Sequence, residues 1–238
     1  MLQKSITIQN TTISIPAILW GEPTGNLYIA AHGNMSNKAD EPIAIFAEQA
    51  VKKGYQVLSF DLPEHGERSK ETYPCKPDTC VSDLTAVYQY ARSISDHISF
   101  FGCSMGVYFG LLAYQDLPLE QSLFLSPVIS MERIIDGLMA GFQVSEQMLK
   151  EKQEIVLPVG ITLYWDYCRY VKTHPIGAWN VSTGILYGRN DDLVQLAEVS
   201  AFAEKNSAVL EIAENAEHYF HTKEQLDSLR VWLKKSLS

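Results

Sequence analysis

In the segment SFFGCSMGVYFG, Ser104 stands between Gly102 and Gly106, where an apolar run gives way to a helical pattern. Glycine at both second neighbours suits a serine held on a sharp strand-to-helix turn, because bulkier residues would meet the adjacent strand and helix. Such a turn lifts the hydroxyl above a sheet and leaves the helix N-terminus, with its unsatisfied N–H groups, just behind it. The N–H of Met105 is then aimed at an oxyanion forming on whatever carbonyl the serine attacks. A serine hydroxyl is a weak nucleophile at neutral pH, so it needs a base, and the base needs an acid to orient it. Taken alone, the motif has a plainer reading in which two glycines let a helix pack closely on a sheet.

The partners can be sought independently. Asp191 lies in YGRNDDLV and His218 in ENAEHYFH, each directly beyond an apolar run and in the order Ser, acid, His. Both fall at carboxyl ends of expected strands, where a parallel sheet places its ligand crevice. Asp192 competes for the acid and His221 for the base; Asp191 and His218 are the choices. A turn or N-cap role for Asp191 is the structural alternative, and a surface loop position is the alternative for His218. A second oxyanion donor is expected from the loop after NLYIAAHGN, where the N–H of Asn34 or Met35 is available and Asn34 is chosen. His65 in DLPEHGERS reads as part of a hydrogen-bonded turn.

Parallel strands must carry these loops. KSITIQ and TTISIPAILW read as an opening hairpin. NLYIAAHG is a buried strand, and DEPIAIFAEQAVKKG a helix with Ile43, Phe46, Ala47 and Ala50 on one face and Gly54 as its C-cap. The alternation continues through YQVLSFDLP, DTCVSDLTAVYQYARS, HISFFGCS, MGVYFGLLAYQD and EQSLFLSP. It resumes with GILYGRND, LAEVSAFAEKN, SAVLEIAE and TKEQLDSLRVWLKKSL. Apolar strands alternating with helices predict a mostly parallel sheet of about eight strands covered on both faces. The chain reads as a single α/β domain over 1–238, with a cap insertion at 130–180 whose Met and aromatic residues, Tyr164 and Trp165 among them, could line a cleft.

Hydrophobic residues make up 46% of the 238 and charged residues 20%, which excludes disorder and leaves enough apolar surface for a core. The net charge of −9 disfavours nucleic acid as a partner. No signal peptide and no membrane span is read, so a cytoplasmic protein with reduced thiols is expected. Cys75 and Cys80 in CKPDTC have the wrong interval for a zinc knuckle, and no metal site is expected.

With GCSMG, YGRNDDLV, AEHYF, HGN after one strand and DLPEHGERS after the next, the chain resembles the α/β-hydrolase superfamily over nearly its whole length. That superfamily's turn G-x-x-D-x-x-V maps onto Gly188, Asp191 and Val194 and supports Asp191 over Asp192. HGNMSNK is similar to the H-G-x-x-x-x-K of small bacterial acyl esterases, cinnamoyl and feruloyl ester hydrolases included, although Asn34 stands where an aromatic residue is common. The resemblance implies the α/β-hydrolase fold and a cofactor-free serine hydrolase acting on a small-molecule acyl ester. Thioesterase, amidase, peptidase and C–C hydrolase share the same apparatus, and a binding module without chemistry shares the same fold.

Overall fold

A computed structural model describes residues 1–237; Ser238, the last residue of the expected domain, lies outside the described residues. The elements in order are β1 (Gln3–Asn10), β2 (Ile13–Trp20), β3 (Asn26–Ala31), α1 (Glu41–Lys52), β4 (Gln56–Phe60), α2 (Pro77–Ile94), β5 (His97–Cys103), α3 (Met105–Tyr114) and β6 (Ser122–Leu125). Then come α4 (Met131–Gly141), α5 (Glu146–Lys152), β7 (Glu154–Val156), β8 (Thr162–Tyr164), α6 (Trp165–Thr173), β9 (Thr183–Gly188), α7 (Leu196–Lys205), β10 (Val209–Ala213) and α8 (Lys223–Ser236).

Eight strands form one sheet in the order β1-β2-β4-β3-β5-β6-β9-β10. The opening hairpin is antiparallel, β2 meets β4 antiparallel, and every other pairing is parallel. The connection leaves β3 towards β4 on one side and returns to β5 on the other, so the strand order reverses there. A crevice at the carboxyl ends of these strands is the consequence.

The period of two in the central strands explains the layers. Leu27, Ile29 and Ala31 of β3 face one core with Leu84, Val87 and Ala91 of α2 and with Val107 and Leu111 of α3. Tyr28 and Ala30 face the other, with Ile43, Phe46, Ala47 and Ala50 of α1 and with Leu229, Trp232 and Leu233 of α8. Both faces are covered, which is why the strands read as apolar runs.

α3 is apolar all round because it is enclosed, and it approaches the sheet closely. A Cβ on Gly106 would stand 2.5 Å from the carbonyl oxygen of His32 and 2.7 Å from that of Ala31, backbone atoms that cannot turn aside. Gly106→Ala is therefore expected to lower stability by about 3 kcal/mol, as overpacking against rigid neighbours does. Gly137→Ala, in α4 with nothing within 4 Å of the added carbon, is expected to raise it by up to about 1 kcal/mol. Urea unfolding of both variants checks the opposite signs.

Between β6 and β9 the chain departs from the regular rhythm. It forms the expected amphipathic α4, but also a two-stranded antiparallel sheet, β7 with β8, that the sequence reading omits. α4 and α6 pack together, and α6 leans on α2. Trp179, read as one of the insertion's aromatics, lies in the main core, its indole N–H donating to the hydroxyls of Ser122 and Thr183 at 3.0 Å each. Among the described residues no helix is long and apolar enough to cross a membrane.

Candidate active site

Ser104 ends the β5 turn with φ 48° and ψ −117°, a conformation that L-residues rarely adopt. The turn is held on every side: Ser104 N–H donates to Leu125 O at 2.9 Å, and Ser104 O accepts from Val107 N–H at 3.0 Å and Val128 N–H at 3.2 Å. The glycine loop after β3 lies against it, since a Cβ on Gly33 would come 3.2 Å from Ser104 Cβ. The hydroxyl is left half-buried at the crevice.

Ser104 Oγ is 2.8 Å from His218 Nε2, and His218 Nδ1 is 2.7 Å from Asp191 Oδ2. A carboxylate only accepts, so the Asp191 contact fixes the proton on Nδ1. Nε2 then carries the lone pair and accepts the serine proton. The Asp191 side chain is fully buried, and its other oxygen accepts from Leu193 N–H at 2.9 Å and Val194 N–H at 2.8 Å. Asp191 is thus both the turn residue of the structural reading and the partner of the histidine. Asp192 is not in this chain of bonds. His221 is exposed, stacked on Tyr219 and bonded through Nδ1 to Tyr219 O at 2.7 Å.

The β9 and β10 loops are fastened to each other. Asn190 N–H donates to Ala216 O at 2.8 Å, and a Cβ on Gly188 would collide with the carbonyl oxygens of Ala216 and Glu217. Tyr187 Oη closes the Asp191 turn by donating to Val194 O at 2.6 Å.

His32 is fully buried, and its Nδ1–H donates to Gly33 O at 2.7 Å while Nε2 accepts from Leu62 N–H at 3.0 Å. Burial lowers its pKa to about 4, so the ring is a neutral strut between two loops. Met105 supplies the first N–H of α3, which a helix leaves without an intrahelical acceptor. Asn34 follows Gly33 on the opposite lip, its side-chain oxygen 3.1 Å from His65 Nε2. His65 Nδ1–H donates to Pro63 O at 2.8 Å, a turn contact.

Two buried cations beneath these loops, Lys38 and Arg68, have carboxylate partners that escape sequence reasoning because they are distant in the chain. Lys38 Nζ is 2.6 Å from both Asp61 Oδ2 and Glu67 Oε1, and Arg68 Nη1 is 2.7 Å from Asp83 Oδ2. Burial opposes the charge on Lys38, but its bonds to Asp61 and Glu67 win and raise its pKa. Lys38→Met leaves the buried Asp61 carboxylate without its cation and is expected to lower stability by about 3 kcal/mol. Adding Asp61→Asn should recover part of that loss in a double-mutant cycle followed by urea unfolding.

No family model and no curated protein matches the sequence. Solved structures do match over almost the whole chain. An esterase of Butyrivibrio proteoclasticus, Est1E, determined with ferulic acid bound, superposes with a TM-score of 0.81 at 20% identity, covering 97% of this chain and 96% of that one. A putative hydrolase of Agrobacterium vitis gives 0.82 at 15% identity, covering 100% and 99%. A Pyrococcus furiosus esterase gives 0.70 at 22% identity, covering 100% and 94%. With the eight-stranded sheet, its reversal point and the serine on the turn after β5, these likenesses show that the chain has the α/β-hydrolase fold.

Proposed function

We propose that the protein is a serine hydrolase that cleaves acyl esters of small molecules through an acyl-enzyme. The observation that carries this reading is the unbroken chain of hydrogen bonds from Ser104 through His218 to buried Asp191, at 2.8 and 2.7 Å. His218 takes the serine proton as Oγ bonds to the acyl carbon. The oxyanion is met by the N–H groups of Met105 and Asn34, each such donor being worth about 3 to 4 kcal/mol. His218 then gives its proton to the departing alcohol, activates water in the same way, and the acid leaves with Ser104 restored.

The segment at 130–180 serves in this proposal as a cap. A cleft of about 330 Å³, one residue in the chain past Val128, opens between α3, α4, α6 and α7, lined by Tyr108, Ile129, Met131 and Phe202 and by the charged Lys172 and Glu198. Its apolar wall and the buried, unpartnered Tyr108 hydroxyl suit an acyl group with a polar substituent. Esterase neighbours, one holding ferulic acid, support an aromatic acyl class. Tyr164 is assigned elsewhere: its ring receives the Lys76 ammonium at 4.0 Å.

The test is a fluorophosphonate probe followed by p-nitrophenyl esters and acyl thioesters of matched chain length. A single adduct at Ser104 and a burst of p-nitrophenol are expected. A folded protein that takes up no probe and turns over none of the panel overturns the reading.

A further inference from the structure

The hydrolytic chemistry proposed above uses neither Cys75 nor Cys80, which stand at the start of α2 with their sulfurs 3.6 Å apart. Cys80, in the first turns of the helix, is fully buried; Cys75, just ahead of it, is half-buried. The Cys75 N–H donates to Glu64 Oε2 at 2.8 Å, which fixes the segment against the loop after β4. From that loop His65, its ring nitrogens bonded to Pro63 O and to the Asn34 side chain, lies close enough to the Cys75 thiol to favour its thiolate. Tyr167 of α6 lies near both sulfurs. One half-buried cysteine with a histidine beside it and a fully buried second sulfur behind it is the arrangement of an attacking and a resolving thiol.

We infer that Cys75 and Cys80 are a peroxide-responsive dithiol, in which Cys75 attacks and Cys80 resolves. The protonation states agree with the geometry. The hydrogen bond from Cys80, helped by His65 and opposed by burial, brings the Cys75 pKa down to about 6, whereas burial holds Cys80 well above the usual thiol range. Burial pulls the His65 pKa down, but the Cys75 sulfur and Pro63 O outweigh it and raise it. The pair therefore favours a thiolate at Cys75 and a thiol at Cys80.

The Cys75 thiolate attacks one oxygen of hydrogen peroxide and the O–O bond breaks. A sulfenic acid forms on Cys75, and the departing hydroxide leaves as water with a proton from solvent. The Cys80 sulfur then attacks the Cys75 sulfur, the S–O bond breaks and a second water leaves with the thiol proton. Two thiols and one peroxide give one disulfide and two waters. The sulfurs need to close only from 3.6 Å to about 2 Å.

His65 also reaches the Asn34 side chain, so the loop assigned an oxyanion donor senses the thiol state. That consequence rests on the hydrolase reading; the dithiol itself does not, and its test needs no substrate. Reduced protein is treated with hydrogen peroxide, alkylated and mapped by mass spectrometry. Expected are a linked Cys75–Cys80 peptide, reversed by dithiothreitol, with Cys103 and Cys168 still alkylated. Cys80→Ala should instead accumulate a dimedone-reactive sulfenic acid at Cys75, and His65→Gln should slow the reaction about tenfold. Oxidation of Cys103 or Cys168 ahead of Cys75, or a Cys75→Ser protein whose Cys80 is lost at the wild-type rate, overturns the inference. Should Cys80→Ala fail to fold, Cys75→Ser and His65→Gln decide alone.

Discussion

Ser104→Ala is expected to lower kcat for a p-nitrophenyl ester on the order of 10⁶-fold while leaving the protein folded, because the attacking atom is removed and nothing that holds the turn is. The turn is fastened by the Ser104 backbone, through Leu125, Val107 and Val128, and its side chain caps no helix. Thermal unfolding should therefore be nearly unchanged and the fluorophosphonate adduct lost. The small remaining rate would report the Met105 and Asn34 donors and substrate positioning. Retention of more than about one hundredth of the activity would mean that another group attacks.

Asp191→Asn carries the second large effect, a loss of about 10⁴-fold in kcat. The amide oxygen can keep the bonds from Leu193 and Val194 N–H, so the turn survives. The amide N–H₂ then faces His218 Nδ1, which must accept instead of donate. The histidine proton moves to Nε2, and that nitrogen can no longer take the proton of Ser104. Asp192→Asn, outside this chain of bonds, should stay within a few-fold of the wild type in the same assay. Equal losses in the two variants would refute the assignment of the acid. Asp191→Ala should add a stability loss of about 1 kcal/mol, because the capped N–H groups of the turn lose their acceptor.

What could be read from the chain and what could not divides along range. The strands of the main sheet announce themselves because both faces are covered and their residues are apolar in runs, as in LYIAA and SLFL. Ser104, Asp191 and His218 are legible because each lies in the turn or loop that follows such a run, and a parallel sheet brings those ends together. The β7–β8 hairpin is not legible: its strands are three residues each and a proline and a glycine crowd the turn between them. Trp179 and Tyr164 look alike as aromatics near the insertion, yet one fills the main core and the other receives a lysine. Lys38 carries no local sign of its partners, since Asp61 and Glu67 become neighbours only when the loops after β3 and β4 meet. CKPDTC shows its two cysteines plainly, but the histidine near them comes from another loop.

The segment between β6 and β9 leaves and re-enters the sheet at strands that are already hydrogen-bonded neighbours, with Ser122 opposite Thr183. Because the two strands run parallel, the segment starts past Leu125 at the carboxyl end of β6 and returns to Thr183 at the amino end of β9, so its ends are held at a fixed separation whatever lies between them. The entropy of closing such a loop grows only with the logarithm of its length, about 0.6 kcal/mol for each doubling. Helices, a hairpin or a longer lobe can be exchanged at this junction for little thermodynamic penalty, while Ser104, Asp191 and His218 hang from β5, β9 and β10 outside the exchanged stretch. A graft between 130 and 177 would leave Val128 on Ser104 and Trp179 in the main core, and would alter this segment without touching the loops that carry Ser104, Asp191 and His218.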